Sequence, residues 1–369
     1  MLCIPNAFYS IPEREFRVRE VEDPRALCVF RKAPRSEYLG IVASGLTGRA
    51  YSGADAITLN NMESKTGSVA FYKQFLFAVA RDAINSYLDT DLAIIKQQAS
   101  DKGLLARLAG EPVVEYKYVI VSLLPIKEHS GTEDCAAKLK EDLAGTYEVE
   151  YPLIPGSPKL RFVINKDFVG VTGEGAVCMT RIRKNIDKED ITLIVDIGHV
   201  SADIALFEGT TLLGKVKSST KAGAVLVGEV RAALEDEGYR LTDEQAKRAI
   251  ETGFVHLGSN KIDVKDIIDE QKLLFVNNFL KKEIIQILNR NDLTAKQVQN
   301  FVPIGAPLQE DGPKSMRQAI INSCGLEYAT VRDVGVSTRY ANIAAASLFT
   351  TMLYGKAREM FNSQMQTNE

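Results

Sequence analysis

The stretch LIVDIGHVSADIALFEG, residues 193–209, constrains the fold more than any other part of the sequence. Two apolar runs flank a short polar loop, which predicts two buried strands joined by a hairpin. Asp196 and Gly198 lie where the first strand ends, and Asp203 lies where the next strand begins. In open α/β sheets ligands bind at the carboxyl ends of strands, and glycine lets the backbone approach a phosphate closely. The stretch therefore predicts a buried strand that ends in a ligand-binding loop.

The rest of the chain alternates between strand-like and helix-like stretches, which predicts an α/β protein. EYKYVIVSLLP (115–125) has the near-continuous apolar character of a buried strand. EFRVREV (15–21) has the pattern of a short strand. The segment that follows Ser68 has helical spacing, with Ser68 as its N-cap. Thr242 and Gln245 form a capping-box pattern at the start of another helix. The pattern divides into two halves near residue 190.

Composition excludes several classes of function. The formal net charge is −3, and no basic stripe stands out, so we expect no direct contact with nucleic acid. No apolar run reaches the roughly 18–20 residues of a membrane span, and there is no signal-peptide pattern. Five scattered cysteines without CxxC spacing, and only three histidines, indicate neither a disulfide framework nor a metal centre made of these residues. We expect a cytoplasmic protein that does not bind membranes.

The loop at 196–203 has the form D-x-G-x-x-x-x-D, which resembles the second phosphate loop of the actin, Hsp70 and sugar-kinase superfamily. Further segments resemble ParM-type bacterial actins in order and spacing over about residues 4–350. These segments are PNAFYSIP (5–12), GRAYSGADA (48–56), VIVSLLPIKEH (119–129), FVPIGAP (301–307) and STRYANIAAASLF (337–349). The resemblance implies an actin-like α/β fold, in which two ribonuclease-H-like domains flank a nucleotide cleft.

The resemblance also implies roles for individual residues, with ATP or GTP and Mg²⁺ as the ligand. Asp196 would hold the water shell of Mg²⁺, which prefers carboxylates and retained waters. Gly198 would let backbone N–H groups approach the phosphates, and Ser201 would donate its hydroxyl to the γ-phosphate. Asp203 would orient this loop and the metal waters.

Three more positions follow from the same family pattern. Gly223 would begin a helix that faces the nucleotide, and Gly305 and Ala306 would lie against the adenosine. Glu174 would be the hydrolytic acid if the register shifts by two residues; otherwise Thr172 occupies that position.

Several features depart from the family pattern. The first phosphate hairpin, of the form D-x-G-x-x-x-x-K, is absent from the N-terminal region, and with it the middle strand of the first sheet. We expect either that the natural chain begins further upstream or that another element fills this place. His199 replaces a glycine, and Pro303 and Ile304 replace two more, although proline fixes φ and isoleucine resists positive φ. These departures predict weak nucleotide binding, and weak or absent hydrolysis of ATP or GTP.

Simpler readings of the same residues stay open. Asp196 and Asp203 could be ordinary hairpin residues, His199 a tolerated loop residue, and Gly305-Ala306 a plain strand-to-helix turn. Glu174 could be a solvated acid favoured by a helix dipole. The Tyr-Ala-Asn stretch that ends at Asn342 could be purely structural.

The resulting prediction is an actin-like protein that assembles head-to-tail into filaments, with nucleotide gating, and that segregates a plasmid through a DNA-binding adaptor protein. We predict domain I at 1–190 with a small insertion at about 14–52, domain II at 191–355 with one at about 235–265, and a polar tail at 356–369. Two alternatives remain: a nucleotide-independent pseudo-actin scaffold, and a small-molecule kinase or Hsp70-like ATPase of the same superfamily.

Overall fold

The chain folds into two compact units, each assembled from more than one stretch of sequence. The computed structural model describes residues 8–18, 20–35, 37–51, 54–57, 65–91, 114–131, 134–154, 157–214 and 216–366. Unit 1 comprises Met1–Ile120, Ala137–Gly170 and Leu353–Glu369, and unit 2 comprises Val121–Ala136 and Val171–Met352. This division differs from the single boundary predicted near residue 190, because the chain enters unit 2 twice.

Unit 1 is built on a seven-stranded mixed sheet with the spatial order β4-β1-β3-β2-β6-β7-β5. Its strands are β1 Phe8–Ile11, β2 Leu27–Lys32, β3 Glu37–Ser44, β4 Asp55–Ile57, β5 Val114–Leu124, β6 Gly145–Glu150 and β7 Lys159–Gly173. The segment 14–52, predicted to be an insertion, supplies β2 and β3 and is therefore part of this sheet. The predicted strand at 15–21 is wrong, since the described residues there form a single 3₁₀ turn, Glu13–Glu15, and irregular chain.

The absence of the first phosphate hairpin predicted the loss of the middle strand of this sheet, and the described strands form a seven-stranded sheet without that hairpin. In the described order β5 is the terminal strand, next to β7. The residues before Phe8, including three of the eight residues of PNAFYSIP, lie outside the described residues, as do two residues of GRAYSGADA.

Eleven α-helices lie within the described residues. They are α1 Gly45–Arg49, α2 Val69–Ser86, α3 Ile126–His129, α4 Cys135–Leu143, α5 Met179–Ile182, α6 Gly223–Asp236, α7 Asp243–Thr252, α8 Lys265–Phe275, α9 Lys281–Arg290, α10 Met316–Cys324 and α11 Ala341–Gln366. None of those described could cross a membrane, because none is both long and apolar enough. The predicted polar tail at 356–369 begins within α11, which continues to Gln366.

Unit 2 contains a mixed sheet with the order β10-β9-β8-β14-β15, in which β11 also pairs with β9. Its strands are β8 Ile191–Ile197, β9 Ala202–Glu208, β10 Thr211–Leu212, β11 Lys217–Ser219, β14 Asn300–Ile304 and β15 Thr330–Val331. A separate hairpin is formed by β12 Phe254–Leu257 and β13 Asn260–Asp263. Antiparallel pairs on one side of β8 and parallel pairs on the other give the mixed sheet expected for a ribonuclease-H-like domain.

The core of unit 2 explains why β8 reads as a continuous apolar run. Leu193 and Val195 pack into one buried cluster with the helical layer that includes α6, while Ile194 packs into another with Val302. Both faces of the strand are therefore covered, as is usual where helices flank a sheet. Because β8 and β14 are parallel, with Asp196 beside Ile304, both strands end at the same edge.

Candidate functional site

A cavity of about 1020 Å³ lies in unit 2, where β8 and β14 end. This volume is at the upper end of the range of about 300–1,000 Å³ that is common for ligand sites. Five residues predicted to bind nucleotide line it: Asp196, Gly198, Gly223, Gly305 and Ala306. The remaining three predicted residues, Ser201, Asp203 and Glu174, are not part of its lining.

The loop between β8 and β9 is packed by its backbone against the start of α6. The Gly198 N–H donates to Ser201 O at 2.9 Å, which closes the hairpin. Gly223 N–H donates to Gly198 O at 3.0 Å, and Ala224 N–H donates to His199 O at 2.6 Å. A Cβ at Gly223 would lie 2.9 Å from Gly198 O, so only glycine permits this approach. His199 itself is exposed at the cavity rim, where its side chain leaves this packing undisturbed.

Asp203 lies behind the loop, opposite Asp196 in the β8–β9 register. It is 3% exposed and accepts a short hydrogen bond from the Ser218 hydroxyl and a longer one, 3.4 Å, from the Ser201 hydroxyl. Burial raises the pKa of Asp203 to about 7; the charges of Glu174 and Asp196 add to this rise, and the Ser218 bond opposes it. The Ser201 hydroxyl thus points to Asp203.

Asp196 is 6% exposed and is held from the side by α11. Asn342 Nδ2 donates to Asp196 Oδ2 at 2.6 Å, and Asn342 Oδ1 accepts from the Gly175 N–H at 2.9 Å. Asn342 also lines the cavity. The sequence drew attention to this residue only as part of a Tyr-Ala-Asn stretch with a structural reading; its contact with Asp196 spans 146 residues of chain and has no local signal.

The turn at Gly305 shows how the chain accommodates Pro303 and Ile304, which replace two glycines of the family pattern. Gly305 has φ +103°, and a Cβ there would lie 2.1 Å from Ile197 O, so this position requires glycine. Pro303 and Ile304 need no such freedom, because both lie in β14 as buried residues. In β14 the backbone N–H and C=O groups of every second residue face the same neighbouring strand. Phe301 O accepts from Arg332 N–H on the β15 side, so the backbone of Pro303 faces that side too, where β15 has already ended. The absent N–H of Pro303 therefore costs no strand pairing with β15.

The cavity lining also includes charged residues that the sequence did not single out. Lys247 and Glu251 lie on α7, and Arg339 lies in the 3₁₀ turn Thr338–Tyr340. Arg339 forms an ion pair with Glu251. The same turn supports Gly305, whose N–H donates to Thr338 O at 3.0 Å.

A second charged group lines the cavity from α8. Lys265 and Lys272 both bind Glu310, with N–O distances of 2.9 and 2.6 Å. Lys272 and Asp269 are buried and lie 3.5 Å apart. Together with Lys247 and Arg339, these lysines give the lining four cations, against the carboxylates of Asp196, Glu251 and Glu310. The cavity can therefore accept an anion, provided that the charge of Asp196 is neutralised.

The residues present fit a hydrated Mg²⁺ rather than a directly ligated metal. Within the described ranges, no group of three or more His, Cys, Asp or Glu side chains could hold a metal ion. Asp196 presents its carboxylate to the cavity where β8 ends, whereas Glu251 and Glu310, which also line it, are held in ion pairs with Arg339 and with Lys265 and Lys272. Mg²⁺ commonly keeps several waters and uses one or two carboxylates, which suits this donor set.

Comparison with known proteins relies on structure, since no protein-family model and no curated protein matches the sequence. The actin-like protein Alp7A matches with 15% identity and a TM-score of 0.63, over 98% of this chain and 93% of its own. A ParM from a 15-stranded filament of Clostridium botulinum matches with 13% identity and a TM-score of 0.57, over 95% and 92%. A ParM of Bacillus thuringiensis, solved with AMPPNP, matches with 14% identity and a TM-score of 0.53, over 95% and 91%.

The chain has an actin-like fold. The predicted fold class, an α/β actin-like fold, is therefore confirmed, and its two main sheets are mixed. Within this actin-like fold, Glu174 lies in the turn that follows β7, where its N–H donates to Leu124 O at 2.7 Å, and Thr172 lies in the strand itself. The hydrolytic role of either residue stays a prediction.

Proposed function

We propose that this protein forms filaments by head-to-tail assembly, gated by ATP or GTP with Mg²⁺, and that it segregates a plasmid through a DNA-binding adaptor. The actin-like fold and the likeness to proteins described as filament-forming support the first part. A head-to-tail contact is heterologous and does not close unless its rotation closes a ring, so filaments are its natural product.

One observation carries the nucleotide part of the proposal. The end of β8, the start of α6 and the Gly305 turn meet at one cavity, which brings together five residues drawn from three distant parts of the sequence. An ordinary hairpin turn at Asp196 would have no reason to share a cavity with Gly223 and Gly305. The volume and the surplus of cations suit a nucleotide whose phosphates reach Asp196 through a metal ion.

The chain's own residues then have distinct roles. Asp196 would hold the water shell of Mg²⁺, and the metal would neutralise charge on the phosphates. Gly223 and Gly305 would keep the backbone compact on either side of the ligand, and Ala306 would lie against the nucleoside. Lys247 and Arg339 would supply positive charge from α7 and from the turn Thr338–Tyr340.

The test measures assembly by light scattering and negative-stain microscopy, in Mg²⁺ buffer with ATP, GTP or no nucleotide. We expect filaments with one of the nucleotides, and their loss in Asp196→Ala. Asp236→Ala, which removes an exposed acid at the end of α6, serves as the matched control and should assemble like wild type. Absence of polymer under every condition would contradict the proposal.

A second candidate function, a nucleotide-independent scaffold, is favoured by a specific feature of the loop. The first two N–H groups of α6 already donate to loop carbonyls, and the Ser201 hydroxyl already donates to Asp203. These donors would have to change partners before binding phosphate. Equal filament formation with and without nucleotide, together with no heat on titration with ATP or GTP in Mg²⁺, would select this candidate.

A further inference from the structure

Asn342 connects three separate parts of unit 2 at the cavity. Its Nδ2 donates to Asp196 Oδ2 at 2.6 Å, and its Oδ1 accepts from the Gly175 N–H at 2.9 Å and from Cys178 Sγ at 3.5 Å. The orientation of the amide is settled by chemistry, since a backbone N–H can only donate and an ionised carboxylate can only accept. The end of β8, the turn after β7 and the start of α11 are thereby joined through one side chain.

The backbone around Asn342 is shaped to allow this arrangement. Gly175 has φ +69°, and a Cβ built there lies 3.3 Å from the Asp196 Cβ and 3.6 Å from its Oδ2. A larger residue would crowd the carboxylate. Glycine at 175 thus allows its N–H to lie close to Asp196, and Asn342 bonds to both this N–H and the carboxylate. The hydrogen bond from Asn342 to the charged carboxylate fixes the direction of its Oδ2 atom.

We propose that Asn342 is a positioning residue that sets the orientation in which Asp196 holds the hydrated Mg²⁺ of a bound nucleotide. This inference rests on the proposed nucleotide site and deepens it. Partners that orient a metal-binding side chain commonly change metal affinity by about 10- to 100-fold when they are removed. Asn342 therefore acts on the metal through Asp196, and its contribution depends on Mg²⁺.

A merely structural asparagine would behave differently, and unit 2 contains one for comparison. Asn300 in β14 donates through Nδ2 to Asp190 Oδ2 at 3.0 Å and accepts through Oδ1 from Arg332 at 2.7 Å. It is buried and lies at the opposite end of β14 from the cavity. Asn300→Ala is therefore the matched control, because it removes the same side chain and a comparable pair of bonds.

The experiment measures the dissociation constants of ATP and GTP by calorimetry, in Mg²⁺ and in EDTA, for wild type, Asn342→Ala, Asn342→Leu and Asn300→Ala. Asn342→Leu has nearly the shape of asparagine, makes neither hydrogen bond and adds no charge, so it carries the test if the cavity left by alanine prevents folding. We expect both Asn342 variants to bind in EDTA within about twofold of wild type and to lose about tenfold or more of the affinity gained with Mg²⁺. Asn300→Ala should keep the full gain.

Three results would overturn the inference. An unchanged Mg²⁺ gain in a folded Asn342→Leu variant would show that the hydrogen bond to Asp196 does not matter. Equal losses in Mg²⁺ and EDTA would show that Asn342 only supports the cavity wall. No binding by wild type in either buffer would refute the proposed nucleotide site itself, and the inference with it.

Discussion

At the scale of single residues, Asp203 is a carboxyl group whose ionisation opposes folding. It is almost fully buried on β9, and burial raises its pKa to about 7, with the charges of Glu174 and Asp196 adding to the effect. An unfolded aspartate has a pKa near about 3.9. The folded state therefore binds this proton more tightly, so the contribution of Asp203 to stability is complete below about pH 4 and is lost as the pH rises through about 7.

Replacing Asp203 by asparagine should remove this pH dependence. The amide can still accept from Ser218, and it carries no charge to bury. We expect Asp203→Asn to be more stable than wild type at pH 8 by about 2 kcal/mol, since one pKa unit corresponds to about 1.4 kcal/mol and relaxation reduces the full effect. Urea unfolding at pH 5 and pH 8 measures it. A difference between variant and wild type that is the same at both pH values would contradict the assignment, and Asp236→Asn, an exposed acid, is the control.

Gly305 and Gly228 make a matched pair for backbone effects. Gly305 has φ +103°, and a Cβ there would clash with Ile197 O, whereas Gly228 is inside α6 with no atom within 4 Å of a built Cβ. Gly305→Ala should destabilise unit 2 by about 3 kcal/mol or more. Gly228→Ala should stabilise it by about 0.5–1 kcal/mol, because alanine is the better helix former. Urea midpoints check both, and a similar shift in the two variants would be evidence against the described turn.

At the scale of elements, the helix starts are the features that the sequence specified best. Ser68 accepts from Phe71 N–H as the N-cap of α2, and Thr242 with Gln245 forms the capping box of α7, both as predicted. The hairpin at 193–208 was predictable for a similar reason, since its apolar runs match two strands buried on both faces. Each of these signals is contained within a few neighbouring residues.

Elements that depend on distant partners were not predictable in the same way. The 15–21 segment has strand-like residues, yet they lie outside the sheet, and Tyr51 instead reaches back to donate to Arg17 O. Gly145 follows α4 as a helix-terminating glycine would, yet it begins β6, which pairs with β7. In the cavity the same limit applies: Asp196 and Gly198 have a motif, whereas Asn342 and the charges of α7 and α8 reach the site only through the fold.

The capping box of α7 offers a test of how this helix supports the cavity. Thr242 Oγ1 accepts from Gln245 N–H, and Gln245 Oε1 accepts from Thr242 N–H at 2.8 Å. Thr242→Ala should destabilise α7 by about 1 kcal/mol, while Thr242→Ser keeps the hydroxyl and should change little. Hydrogen exchange of the α7 amides measures the effect, which we expect to be confined to this helix. Equal exchange in the alanine variant and wild type would show that the box contributes nothing.

At the scale of the whole molecule, the charge balance determines what the protein can bind by itself. With 45 basic and 48 acidic side chains, the chain has no excess positive charge to replace the counterions of DNA. We expect no change in the fluorescence anisotropy of a labelled duplex at about 150 mM salt, so that any attachment to DNA requires a separate adaptor. A tight complex whose affinity falls steeply with salt would refute this, and a basic DNA-binding protein on the same duplex is the positive control.

Head-to-tail assembly makes a quantitative prediction that a closed oligomer does not. Each added subunit in an open polymer presents the same free surface as the one before it, so growth continues as long as free protein exceeds a threshold concentration. We therefore expect the unpolymerised concentration, measured by sedimentation at increasing total protein, to rise and then remain constant in the presence of Mg²⁺ and the effective nucleotide.

Sedimentation at increasing total protein also distinguishes the role of the nucleotide from that of the contact surface between subunits. Asp196→Ala changes the cavity of unit 2 without altering exposed charge, since Asp196 is 6% exposed. If the nucleotide gates assembly, this variant should raise the threshold concentration severalfold, and Asp236→Ala should leave it where wild type has it. A free concentration that keeps rising in proportion to the total, with one discrete oligomer in the sedimentation profile, would mean that the contact closes on itself, and head-to-tail polymerisation would then be excluded.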